Sequence, residues 1–319
     1  MIPEKENPLS DDILAEESQQ GADDASGLPK RLDRYSKAHH RAIEMSNYAL
    51  EQGEVKLSRD LTGCGHFLLF HHYYTVEKMR LHAAKFCNKH LLCPLCAIRR
   101  GAKQVQAYLA RLEVIGAENP GLMLSLVTIT VKNGDDLEER FRHVTQSFRR
   151  LQHARRAYIQ GRGPYVELSK VLGAVGSYES KIGKGSGQWH PHIHMVVLHR
   201  EAIDTERFRS DWLKYSADSF MVDVTPFYDD QDPVKGFLEV FKYSLKFSDM
   251  PLAENWTAFK TLKGKRLVFS FGLFWGVEVP EEMTEEDLSD LPFIELLFRF
   301  AQGAGYSFIR REDAKAVRG

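Results

Sequence analysis

Hydrophobic and polar residues alternate along this chain with two distinct periods. The run Leu122–Lys132 is apolar and β-branched, and Asn133-Gly134 stops it, which predicts a strand. From Asp135 to Gln160 the apolar residues recur at Leu137, Phe141, Val144, Phe148 and Leu151, a helical period. Val171–Glu179 and His192–Leu198 read as two further strands joined by a glycine-rich turn over Lys181–Gln188. Glu201–Ser216 reads as a helix and Phe220–Val224 as a short strand. Asp232-Pro233 then opens a helix that runs to about Phe247, with proline in its first turn. Upstream, residues 31–52 and Ala97–Ile115 are helical in pattern. Downstream, Leu252–Leu262 is a helix and Arg266–Phe271 is strand-like. This order predicts an α+β architecture, a mainly antiparallel sheet backed by helices.

Composition changes the picture at the ends. Residues 1–30 are acidic, rich in Ser, Gln and Gly and poor in aromatics, which predicts a disordered acidic tail. A second acidic segment covers 278–295, with eight acidic residues and no Lys or Arg. The net charge of the whole chain is -1, so the body between these segments is strongly basic, which fits a polyanionic partner. The expected organisation is the tail 1–30, a helical and cysteine module over 31–118, a central α+β domain over 119–250, and a C-terminal extension over 251–319 packed on the core. The longest apolar runs are broken by Ser, Gly or charge, and the N-terminus lacks a cationic, apolar leader. The expectation is therefore a cytoplasmic protein with no membrane partner.

Three groups of residues carry candidate chemistry. His192 and His194 are two apart on a strand, so both imidazoles project from one face and can share a divalent ion. Glu179 is placed to add an oxygen ligand across the hairpin, and His190, of the same parity, is its rival for third ligand. The bland alternative is a half-buried pair hydrogen-bonded within the core. On the helix after Pro233, Glu239 and Tyr243 share a face and Lys246 borders it, whereas Lys242 points elsewhere. A tyrosine activated by a metal or a nearby lysine is a covalent nucleophile, and a carboxylate beside it is a general base for water. An ordinary amphipathic helix gives the same spacing. All four cysteines, Cys64, Cys87, Cys93 and Cys96, fall in one short stretch, and Cys93 and Cys96 form a CxxC knuckle. In a reducing compartment that clustering favours a structural zinc over disulfides. His66, His82 and His90 are available as substitutes for one Cys, and buried free thiols are the plainer alternative. The segment Gly183–Gly187 is neither a phosphate-binding GxxxxGK[ST] loop nor a GxGxxG helix start, and no GxSxG elbow is present, so neither an ATPase nor a serine hydrolase is indicated.

Taken in order, Leu126–Asn133, His190–Val197 and Glu239–Lys246 resemble the three motifs of the HUH endonucleases, and more closely those of single-tyrosine rolling-circle replication initiators of small plasmids. Cys64-Gly65, Phe86-Cys87 and Leu92–Arg100 resemble the cysteine segment upstream of them. The likeness spans about residues 60–275. It implies an HUH-type antiparallel sheet with flanking helices, a ferredoxin- or RRM-like core, preceded by a small zinc module. It also implies a metal-dependent nickase acting on single- and double-stranded origin DNA. His192, His194 and a third ligand would hold Mg²⁺ or Mn²⁺, Tyr243 would become 5′-phosphotyrosyl, Lys246 would assist, and Glu239 would activate water at termination. Host helicase and DNA polymerase are the implied partners, with a homo-oligomer left open. An HUH transposase or relaxase is the nearest alternative, although relaxases usually carry the tyrosine before the histidines. A zinc-dependent DNA-binding regulator is the alternative from another class, and it leaves the His pair and the Glu–Tyr helix unexplained.

Overall fold

The computed structural model describes residues 25–183, 185–227, 233–242, 250–278 and 291–313. Its secondary structure is mixed α and β with antiparallel sheets and flanking helices, as the residue pattern predicts. Two compact units are present. One draws on Met1–Gln106, Phe247–Trp256 and Glu281–Gly319 as far as these are described, and the other on Ala107–Lys246 and Thr257–Pro280.

The first unit begins with helix α1 (Leu28–Glu51), which has proline in its first turn, and helix α2 (Val55–Thr62). A four-stranded antiparallel sheet follows, built from β1 (Phe67–Tyr73), β2 (Lys78–Ala83), β8 (Ile294–Ala301) and β9 (Gly305–Asp313) in the order β2-β1-β8-β9. The C-terminal hairpin thus supplies half of the sheet that the N-terminal hairpin begins. Leu68 and Phe70 of β1 and Phe298 of β8 are buried on one face, with the Phe70 and Phe298 rings edge to face at 5.9 Å. The residue pattern missed β1, β2, β8, β9 and α2. Phe67–Tyr73 lacks clean alternation, and Ile294–Ala301 directly follows an acidic run, so neither shows a clear period of two. Helix α3 (Pro94–Glu118) starts one residue after Cys93.

The second unit is a five-stranded antiparallel sheet in the order β6-β3-β5-β4-β7. Its strands are β3 (Met123–Thr130), β4 (Gly173–Ile182), β5 (Trp189–His199), β6 (Val222–Phe227) and β7 (Val268–Gly272). Helix α4 (Leu137–Ile159) and helix α5 (Thr205–Ser216) cover one face. Each is started by an aspartate whose side chain accepts two backbone N–H groups: Asp136 for α4, Asp204 for α5. That cap starts α5 at Thr205, later than the residue pattern alone predicts. Val144, Phe148 and Leu151 of α4 and Phe208 and Trp212 of α5 pack on Val127, Ile129, Ile193, Met195 and Val197. Trp212 satisfies its indole N–H on the Thr130 carbonyl at 2.6 Å.

Because successive strand residues point to opposite faces, the odd positions of β5 fill this core and the even ones face the other way. On that other side lies helix α6 (Val234–Phe241), whose approach is set by Gly236. A Cβ at Gly236 would stand 2.7 Å from the Phe227 ring and 3.0 Å from Val196. Helix α7 (Leu252–Leu262) completes the described helices. Among the described residues no helix is long and apolar enough to cross a membrane.

Candidate metal centres

The register of the central strands assembles the first centre. In β5, His192 lies opposite Thr130 of β3 and Glu179 of β4, and His194 lies opposite Thr128 and Ser177. Directly opposed residues share a face, so both histidines and Glu179 emerge together. Their candidate ligand atoms lie within 4.8 Å of one another. Nε2 of His192 is 3.0 Å from Glu179 Oε1, and Nε2 of His194 is 3.7 Å from Glu179 Oε2. With bonds of about 2.1 Å, ligands at neighbouring octahedral corners stand about 3.0 Å apart and tetrahedral ones about 3.4 Å. One divalent ion therefore fits this set with small side-chain shifts.

The environment also fits. Glu179 is 1% exposed, and a carboxylate that deep needs a cation or protonated neighbours. Each imidazole is oriented from behind. Nδ1 of His192 is 3.2 Å from the His190 carbonyl, and Nδ1 of His194 is 2.9 Å from Thr128 Oγ1. With the Nδ1–H groups donating there, the Nε2 lone pairs are turned toward the carboxylate, the side from which a metal would bind.

Helix α6 brings Glu239 to the same place, with Oε1 3.4 Å from His194 Nε2. Lys242 follows α6 and is ion-paired with Glu239 Oε2. This corrects the expectation that Lys242 points elsewhere. The i,i+3 spacing brings its ammonium back to the carboxylate, and it is 8% exposed. His190, the rival third ligand, stands apart from the three-residue cluster: its Nδ1 is 2.6 Å from Asn133 Oδ1. Burial, with help from His192 and Lys181, lowers the His190 pKa to about 4 and keeps the ring neutral. Tyr243 and Lys246 lie outside the described residues. Thr128 and Asn133 belong to the Thr-x-Thr strand and its stop, but their pairing with His194 and His190 is visible only once the strands are in register.

The second centre is the cysteine cluster. Cys64 follows α2, Cys87 follows β2, Cys93 precedes α3 and Cys96 sits in its first turn. Sγ of Cys64 is 3.6 Å from that of Cys96 and 3.5 Å from that of Cys93, and the Cys87 and Cys96 sulfurs are 3.6 Å apart. These lengths exclude disulfides. They are close to the edge of about 3.8 Å of a sulfur tetrahedron with Zn–S bonds of about 2.3 Å. Hydrogen bonds from the other three thiols hold the Cys96 pKa well below the ordinary thiol range, while Cys64 and Cys93 are pushed up. A bound dication would favour thiolates at all four. Backbone geometry at the knuckle is specific: Gly65 has φ +69°, and a Cβ there would come within 2.3 Å of Leu95. His90 is held neutral by burial and by Arg100, with its pKa lowered to about 4.

Comparison with known proteins places these centres in context. A family model described as "Replication protein" matches residues 78–295. A curated "Protein rep" of Lactiplantibacillus plantarum is 30% identical over 199 residues, covering 58% of this chain and 57% of that protein. A curated "Protein rep" of Streptococcus pneumoniae serotype 2 (strain D39 / NCTC 7466) is 29% identical over 182 residues, covering 53% of each. The chain therefore spans a little over half the length of these relatives. No solved structure matches. The family match takes in the Cys87–Cys96 segment, the Glu179–His192–His194 group and Glu239, and covers well over half of the sequence, so the chain belongs to the replication protein family.

Proposed function

We propose that this protein initiates rolling-circle replication of a plasmid by nicking one strand of its origin and remaining attached to the 5′ end. The observation that carries the reading is the buried Glu179–His192–His194 group on one sheet face, with Glu239 of α6 alongside it. A divalent ion held by these three residues would polarise the scissile phosphate and offset charge on the oxygens around it. Tyr243 follows the Glu239 helix closely in sequence, and its phenolate is the proposed nucleophile. Its oxygen forms a bond to phosphorus, the bond to the 3′ oxygen breaks, and that oxygen takes a proton from solvent and leaves as the 3′-OH that primes synthesis. The phenol proton passes to solvent or a nearby base, and Lys246 stabilises the phenolate or the phosphate. At termination Glu239 removes a proton from the water that hydrolyses the phosphotyrosyl ester. Lys242, ion-paired with Glu239, positions that carboxylate for the step.

The cysteine cluster is proposed to hold one structural zinc. The expected partners are single- and double-stranded origin DNA with host helicase and polymerase, in the cytoplasm. The domain division proposed is a zinc module over 31–118, a nicking domain over 119–250 and a C-terminal extension over 251–319.

The test is an adduct assay with an origin oligonucleotide and Mn²⁺. Wild type is expected to form a covalent complex with the 5′ fragment end, and Tyr243→Phe none; an adduct with the variant overturns the assignment. Glu239→Ala is expected to nick at close to the wild-type rate and to accumulate unreleased product. Release at the wild-type rate would remove its role.

A further inference from the structure

Between Arg140 and Val166 the chain carries seven arginines and no acidic residue. Most of this stretch is helix α4, whose apolar face is buried against the sheet side opposite His192 and His194. Its arginines divide into two sets. Arg140 bonds Asp218 at 3.0 Å, Arg150 bonds the Tyr215 carbonyl at 2.7 Å, and Arg155 bonds the Val171 carbonyl at 2.6 Å. These three are fastened to the fold. The side chains of Arg142, Arg149 and Arg156 are exposed and, among the described residues, make no hydrogen bond or ion pair.

The exposed set is ordered. Arg142, Gln146, Arg149, His153, Arg156 and Gln160 are spaced by 4, 3, 4, 3 and 4 residues, so they form one stripe along the outer face. From Arg142 to Arg156 the stripe runs about 21 Å. Every member carries a hydrogen-bond donor, none is acidic, and His153 is the one ring among them. At its C-terminal end, His153, Arg156 and Gln160 join Ala157 and Arg162 around a concavity of about 410 Å³.

We propose that this stripe is a docking surface for the phosphate backbone of duplex DNA. A straight row of guanidinium and amide donors complements a polyanion of regular pitch. Single strands are held instead by successive aromatic platforms, and the stripe offers only the His153 ring. The inference rests on the reading of the chain as an origin nickase only for the choice of DNA over another polyanion. Its consequence for the site is separation of labour: duplex is gripped on the helix face, and the strand being cut is handled on the opposite sheet face, which carries Glu179, His192 and His194.

The experiment measures binding to a duplex of arbitrary sequence, and to one of its strands, across a salt series. Each lost phosphate contact lowers the log–log salt slope by about 0.9. The triple variant R142A/R149A/R156A is expected to lose about 2.7 from the duplex slope. Between about 50 and 200 mM salt, wild-type affinity should then fall about fortyfold more than that of the variant. Arg142→Lys, Arg149→Lys and Arg156→Lys together should restore the slope, which separates charge from folding. An unchanged duplex slope overturns the proposal, and so does an equal loss on the single strand. Nicking of a single-stranded origin oligonucleotide by the alanine variant should match wild type. Failure of wild type itself to nick would count against the proposed function and not against this surface.

Discussion

Thr128 Oγ1, 2.9 Å from His194 Nδ1, fixes which imidazole nitrogen is turned toward Glu179. Such partners of metal-binding histidines typically contribute 10–100-fold to affinity. Thr128→Val, close to isosteric, should therefore weaken Mn²⁺ binding by about tenfold or more, read by calorimetric titration, with little change in melting temperature. Unaltered affinity would mean that the hydroxyl does not orient the ring. His39 offers a test by pH. Burial lowers its pKa from 6.5 to about 4, so the folded protein keeps the ring neutral. The unfolded chain takes up the proton first as pH falls, so the stability held above pH 6.5 is lost progressively toward pH 4. Between pH 7 and 4.5 the loss due to this residue should be about 2 kcal/mol, and His39→Leu should lose less stability than wild type across that window in urea titrations. The strand parity of His192 and His194 is legible in the sequence. The service of Thr128 is not, because it depends on the pairing of two strands more than sixty residues apart.

At the scale of elements, α6 is held close to the sheet because position 236 has no side chain. Gly236→Ala should push α6 away from Phe227 and Val196, at a cost of about 1–3 kcal/mol, and carry Glu239 away from His194. The expected signature is a larger loss of product release than of nicking. Equal losses of both would place the effect on the fold as a whole. The cysteine knuckle is a second element with its own test. Protein purified without chelator should contain about one zinc per chain, and Cys93→Ser should lose the metal and the cooperative melting of its unit. A folded, zinc-free wild type would overturn the zinc assignment. Elements with a strong period were readable from sequence: β3 from its β-branched run, α4 from its regular apolar spacing. β1 and β8 were not, because each is defined mainly by a partner strand distant in the chain. Their residues show neither a clean alternation nor a turn signal that would pair them.

For the whole molecule, the order of strands matters more than their number. The unit built on Ala107–Lys246 and Thr257–Pro280 takes most of its sheet from one continuous stretch, whereas the other joins strands from the two ends of the sequence. A chain cut before Ile294 would leave β1 as an open edge bearing Phe67, Leu69 and His71. Its soluble yield should fall sharply relative to the full chain; recovery at the wild-type level would show that β1 does not need β8. The pairing of β1 with β8 also sets a clock. At about 5–20 residues per second, synthesis from Tyr73 to Ile294 takes on the order of 10–40 s. Through that interval the first hairpin has emerged from the ribosome without the strand that will cover its edge. A nascent chain of this protein therefore carries an uncovered strand edge through much of its synthesis, and a stop before Ile294 would leave that edge uncovered for good.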